Sequence, residues 1–122
     1  MNDPVYPVAT RELAEQRRRL APEIHAAFDE FSNRVFAPGA LPTKTKQLIA
    51  VAVAHATQCP YCIAGHTTLA RRQAGDDEIM EAIWVAAEMR AGAAFAHSTI
   101  ALHTLDTHSA HSQPTPTPGT DR

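Results

Sequence analysis

An all-α fold is predicted by three features of this 122-residue sequence. Apolar residues recur at three- and four-residue steps over most of the chain, almost no stretch alternates at period two, and Pro22, Pro38, Pro42, Pro60 and Gly75 fall at the joints between the periodic runs. From Thr10 to Phe36 the repeating positions are Leu13, Leu20, Ile24, Ala27, Phe28, Phe31 and Val35. Pro22 suits the first turn of a helix, so the run divides into two consecutive helices there. The stretch from Ala37 to Pro42 reads as a connection, after which Thr43 is expected to cap a helix from Lys44 to about Thr57. That helix is apolar on nearly all sides from Leu48 onward and is expected to be central.

Pro60 then opens a fourth helix, expected to end near Ala74 with Gly75 as its stop. Asp76 or Asp77 is placed to cap a long fifth helix running to about Leu105, broken or closely packed at Gly92. Its alanines, including Ala82, Ala86, Ala93 and Ala96, make small-residue faces on which another helix can pack closely, and contacts between subunits are expected there. Ser109 to Arg122 is rich in Ser, Thr and Pro and cannot repay the entropy of ordering, so it is expected to be a flexible tail. The organisation is one helical domain over residues 1–108, with its core at 40–105, and a tail at 109–122. A chain of this length builds a small core, and a partner subunit is expected to cover part of its apolar surface.

The formal charge of −2 supplies no basic field for a phosphate backbone, which argues against a nucleic-acid partner. Leu48 to Ala56, the most apolar segment, is too short to span a bilayer, and no secretory leader is visible, so a cytoplasmic protein without a membrane partner is expected. In a reducing compartment a CxxC pair is more often catalytic or metal-binding than a permanent staple.

The two cysteines of the chain, Cys59 and Cys62, form such a pair in Cys-Pro-Tyr-Cys, and His66 follows four residues later. On a helix, steps of three and four put both sulfurs and the imidazole on one face. Thiols this close can cycle between dithiol and disulfide, and an imidazole can move the proton that the cycle releases. Cys59 lies nearer the helix N-terminus, where the dipole favours a thiolate, whereas Cys62 has His66 one turn away to take its proton. Blander readings exist for the same residues. The cysteines can be inert small core residues, or can bind zinc with His66 and a fourth ligand such as His55 or His97. His55 fits a satisfied core histidine, and Glu81 and Glu88, seven apart on one helix face, fit a solvated stripe. No metal or cofactor is expected.

Residues Lys44 to His66, KTKQLIAVAVAHATQCPYCIAGH, together with EIMEAIWVAAEMRAGAAFAHS from Glu78 to Ser98, resemble the AhpD-like alkylhydroperoxidases of the carboxymuconolactone decarboxylase family. The resemblance covers roughly residues 40–105. It implies an AhpD-like all-α helical bundle, assembled as a homotrimer or homohexamer, with thiol-dependent peroxidase or disulfide reductase activity. It further implies that Cys62 attacks a peroxide or small disulfide, that Cys59 closes the disulfide, and that His66 passes protons. An external dithiol, lipoyl or thioredoxin-like, then restores the thiols. The family's reductase pattern has a glutamate where this chain has Gln47, so the proton relay needs either the glutamine amide as an orienting group or a substitute from Glu78, Glu81, Glu88, His55 or His97. Tyr61 stands where some members carry a second histidine. Two other classes follow from the same residues: a cofactor-free lyase like the family's decarboxylases, which needs acid–base groups and not two sulfurs, and a non-enzymatic redox sensor.

Overall fold

The computed structural model describes residues 5–111, and among them the chain forms five α-helices and no strand. Helix α1 (Arg11–Leu20) starts at Thr10, whose hydroxyl accepts the Leu13 N–H at 3.2 Å. Ala21 is the joint to α2 (Pro22–Phe36), and Pro22 sits in the first turn as its missing N–H predicts. A His25 Nδ1–Asp29 Oδ2 contact at 3.1 Å and a Glu30–Arg34 ion pair at 2.9 Å join successive turns of α2. Ala37, held extended by the proline after it, ends the helix.

The start of α3 (Thr43–Thr57) differs from the sequence expectation. Thr43 is inside the helix, Pro42 occupies the cap position, and no side chain caps the α3 N-terminus. The Thr43 hydroxyl instead donates to Phe36 O at 2.9 Å and the Lys46 ammonium to Ala37 O at 2.6 Å. Both side chains therefore satisfy carbonyls left bare at the end of α2, a need as strong as that of the α3 N–H groups. Gln47, Val51 and Ala54 form the buried stripe of α3 at steps of four and three, packed chiefly against α4 (Pro60–Ala70). The apolar surround of α3 is not closed by this chain: Ile49 and Val53 stay about half exposed.

Helix α4 ends at Ala70, four residues before the expected end near Ala74, and Arg71 to Ala74 form turns closed by Gln73 and Ala74 N–H groups on Ala70 O. Gly75 does not take a left-handed conformation. It caps the next helix, α5 (Asp76–His111), where Glu78 Oε1 reaches back to accept the Gly75 N–H at 3.0 Å. Lys44 pairs with the same carboxylate at 2.7 Å, tying the start of α3 to the start of α5. The Glu78 pKa is lowered by the Lys44 hydrogen bond first and the Gly75 N–H second. Val51, Ala70, Ala74 and Ile79, with Leu48 and Ile83 against them, make the core.

The chain divides into two compact units, residues 1–86 and 87–122. The described part of the second unit is the remainder of α5, which continues unbroken through Gly92 and past the expected end at Leu105, so Ser109 to His111 are helical and not tail. The rest of the expected tail, 112–122, lies outside the described residues. On this unit Phe95, Ile100, Leu102 and Leu105 are exposed. No helix among the described residues is long and apolar enough to cross a membrane.

Candidate functional site

The site is built on the joint between α3 and α4. Gln58 takes the left-handed conformation, with φ 58° and ψ 44°. The N–H of Gln58 returns to His55 O at 3.3 Å and that of Cys59 to Ala54 O at 3.1 Å, the paired bonds of a Schellman turn. One residue later Cys59 is the N-cap of α4, and its sulfur accepts the Cys62 N–H at 3.2 Å. Cys59 thus closes one helix and opens the next, which holds its sulfur over the positive end of α4. Its partner is Cys62, with the Cα atoms 5.3 Å apart and the sulfurs joined as a disulfide. Cys59 is half-buried and Cys62 exposed.

One turn further along, His66 is held from two sides. Its Nδ1 stands 2.9 Å from Gln47 Oε1, and its ring stacks on Phe36 at a centroid distance of 5.2 Å and an interplanar angle of 27°. An amide oxygen only accepts, so Nδ1 carries the proton and the Nε2 lone pair is left as the basic site. Gln47 is 7% exposed and is the buried polar residue of the core. A neutral amide there fixes the ring's tautomer and direction without adding a charge.

Cys62 and His66 open onto a groove of about 380 Å³ between α2, α3 and α4. Val35, Phe36, Ile49 and Val53 give it an apolar wall, and Lys46 is its lysine. Cys59 does not line it, nor does Tyr61, between the cysteines, which donates its hydroxyl to Pro7 O at 2.7 Å and meets Tyr6 edge to face.

Of the residues singled out from the sequence, Cys59, Cys62, His66 and Gln47 are brought together. His55 is not: its Nδ1 bonds Val51 O at 2.7 Å within α3, the satisfied histidine of the blander reading. Glu81 is exposed on α5 and does not line the groove. Glu88 and His97 belong to the second unit, where both are exposed. Glu78 is committed to Lys44 and the Gly75 N–H. Among the described residues no three His, Cys, Asp or Glu side chains gather in a way that could hold a metal ion. Phe36 and Lys46 were missed, because both belong to the site only through the packing of α2 on α3.

The sequence profile of the carboxymuconolactone decarboxylase family matches residues 22–104, so the likeness takes in α2 and begins well before residue 40. A Paracoccus denitrificans protein named "Uncharacterized protein 4 in cox locus" is 59% identical over 107 residues, which is 87% of this chain and 96% of that one. Among solved structures, a carboxymuconolactone decarboxylase family protein from Legionella pneumophila is similar at 38% identity and TM-score 0.59, over 66% of this chain and 75% of that one. A Methanobacterium thermoautotrophicum protein is similar at 34% identity and TM-score 0.65, over 71% of this chain and 97% of that one.

Proposed function

The chain belongs to the carboxymuconolactone decarboxylase family, and from that premise we propose that it is an AhpD-like thiol oxidoreductase that reduces peroxides through a Cys59/Cys62 dithiol–disulfide cycle. The observation that carries this reading is that Cys62 and His66 line one groove while Cys59, bonded to Cys62, is not part of its lining. In the reduced protein Nε2 of His66 takes the Cys62 thiol proton. The thiolate attacks the terminal peroxide oxygen, the S–O bond forms as the O–O bond breaks, and the imidazolium returns its proton to the leaving alkoxide. Cys59 then displaces water from the sulfenic acid and the disulfide forms. The sum is one hydroperoxide and two thiols giving an alcohol, water and a disulfide. An external dithiol, lipoyl or thioredoxin-like, resets the pair by exchange. The accessible position of Cys62 supports its role as attacking sulfur, against the dipole argument for Cys59. The protein is further proposed to act as a homotrimer or homohexamer in the cytoplasm.

The test is titration of the reduced protein with hydroperoxides, followed by mass spectrometry of the intact chain. Cys59→Ser is expected to accumulate a sulfenic acid on Cys62, and Cys62→Ser to lose reactivity by at least about a hundredfold, the range in which removal of an essential group falls. Thiols that survive low peroxide in the wild type would sink the peroxidase reading. Turnover of a lactone acid that survives loss of both cysteines would favour the lyase, and disulfide formation without turnover the sensor.

A further inference from the structure

The groove beside Cys62 is far larger than a peroxide group requires. At about 30 Å³ per heavy atom, the share of one water in the liquid, 380 Å³ holds about a dozen atoms. Its wall is apolar, and none of its lining residues is acidic. Its one permanent cation is Lys46, whose ammonium spends one donor on the neutral carbonyl of Ala37 and meets no carboxylate in the groove. An ammonium has three donors, so two remain.

The positions of these groups set an order along the groove. Gln47, early in α3, meets His66, late in α4, and Ala54, late in α3, meets Cys59 at the start of α4, so the two helices run antiparallel. Lys46 therefore lies at the His66 end. Cys62, one turn before His66, lies about 6 Å further along the axis. The apolar wall continues past the sulfur to Val53.

We infer that the groove is a site for organic hydroperoxides that carry a carboxylate several carbons from the peroxide, with Lys46 as the specificity-determining anchor. This rests on the peroxidase reading above for its chemistry, but the carboxylate site itself does not need that chemistry. The carboxylate accepts from Lys46 while the ammonium keeps its bond to Ala37 O, and the alkyl chain lies against Val35, Ile49 and Val53. The peroxide is then presented to Cys62, whose oxidation and resolution follow the balance already given.

The experiment has a binding arm and a kinetic arm. Calorimetry on the disulfide form compares octanoate with 1-octanol in wild type, Lys46→Met and Lys46→Arg. Octanoate is expected to bind at least about tenfold more weakly to Lys46→Met, the worth of one charge-assisted hydrogen bond, with Lys46→Arg near wild type and octanol indifferent to either change. In the kinetic arm the ratio of kcat/KM for an eight-carbon hydroperoxy acid to that for its methyl ester is expected to exceed one clearly in wild type and Lys46→Arg, and to collapse toward one in Lys46→Met. A merely structural role for Lys46, as a cap on α2, would lower both substrates together and leave the ratio alone. Octanoate bound equally by wild type and Lys46→Met, or a wild-type ratio near one, overturns the inference. A Lys46-dependent octanoate site in a protein that consumes no hydroperoxide overturns the peroxidase reading and upholds the anchor.

Discussion

At the scale of single residues, the departure that matters is Gln47. A glutamate in its place would hold the His66 ring by the same geometry but add a negative charge beside Nδ1, which favours the imidazolium. Gln47→Glu is therefore expected to move the acidic limb of the pH–rate profile upward and leave the alkaline limb nearly in place, measured as kcat/KM against pH. An unmoved acidic limb would mean that His66 is not the base. Gln47→Leu leaves the ring N–H without its acceptor and is expected to cost about 1–3 kcal/mol of stability. The importance of Gln47 was legible in the sequence as a position; that its amide reaches His66 was not, because nineteen residues separate the two and only the packing of α3 on α4 joins them. Cys62 and His66 needed no such help, being four residues apart on one helix, whereas Cys59 stands just outside that helix as its cap and meets Cys62 through the capping turn.

At the scale of elements, the α3–α4 joint and the α5 N-terminus each carry a prediction. A left-handed conformation costs a residue with a side chain about 1–2 kcal/mol, and glycine avoids that cost. Glycine also gives the unfolded chain about 0.4–1 kcal/mol of extra entropy. Gln58→Gly is accordingly expected to stabilise the protein by about 0.5 kcal/mol net in chemical denaturation, with Gln58→Val destabilising it. At the other joint, the Glu78 pKa is lowered in the folded state. The stability Glu78 contributes is fully present above its unfolded value near 4.5 and is lost as pH falls through the lower folded value. The gap in Tm between wild type and Glu78→Gln is expected to be open at pH 7 and to close progressively as pH falls below 4.5, and added salt is expected to narrow it. The prolines at 22 and 60 made both helix starts readable, whereas Thr43 was misassigned. A hydroxyl at a helix start can serve its own N–H groups or a neighbour's carbonyls, and the sequence does not say that the end of α2 lies within reach.

At the scale of the whole molecule, the core is small for the apolar content. Val51 is completely buried, while Phe28 and Phe31 on α2 are 65% and 62% exposed, as are Phe95 and Leu105 on the second unit to a similar or greater degree. Apolar surface of this extent is what the proposed assembly would cover. Sedimentation equilibrium is expected to return three or six times the chain mass of 13.2 kDa, and a monomer at micromolar concentration would remove the proposed assembly. By itself the sequence determined the helices, their order and the nearness of two cysteines and a histidine, because these depend on local periodicity and on residues within two turns of one another. Only the tertiary structure decided which cysteine opens on the groove, that Gln47 and Phe36 hold His66, and that Lys46 lines the same groove. Those depend on how three helices lie together, and burial and hydrogen-bond satisfaction settle that arrangement at a distance along the chain.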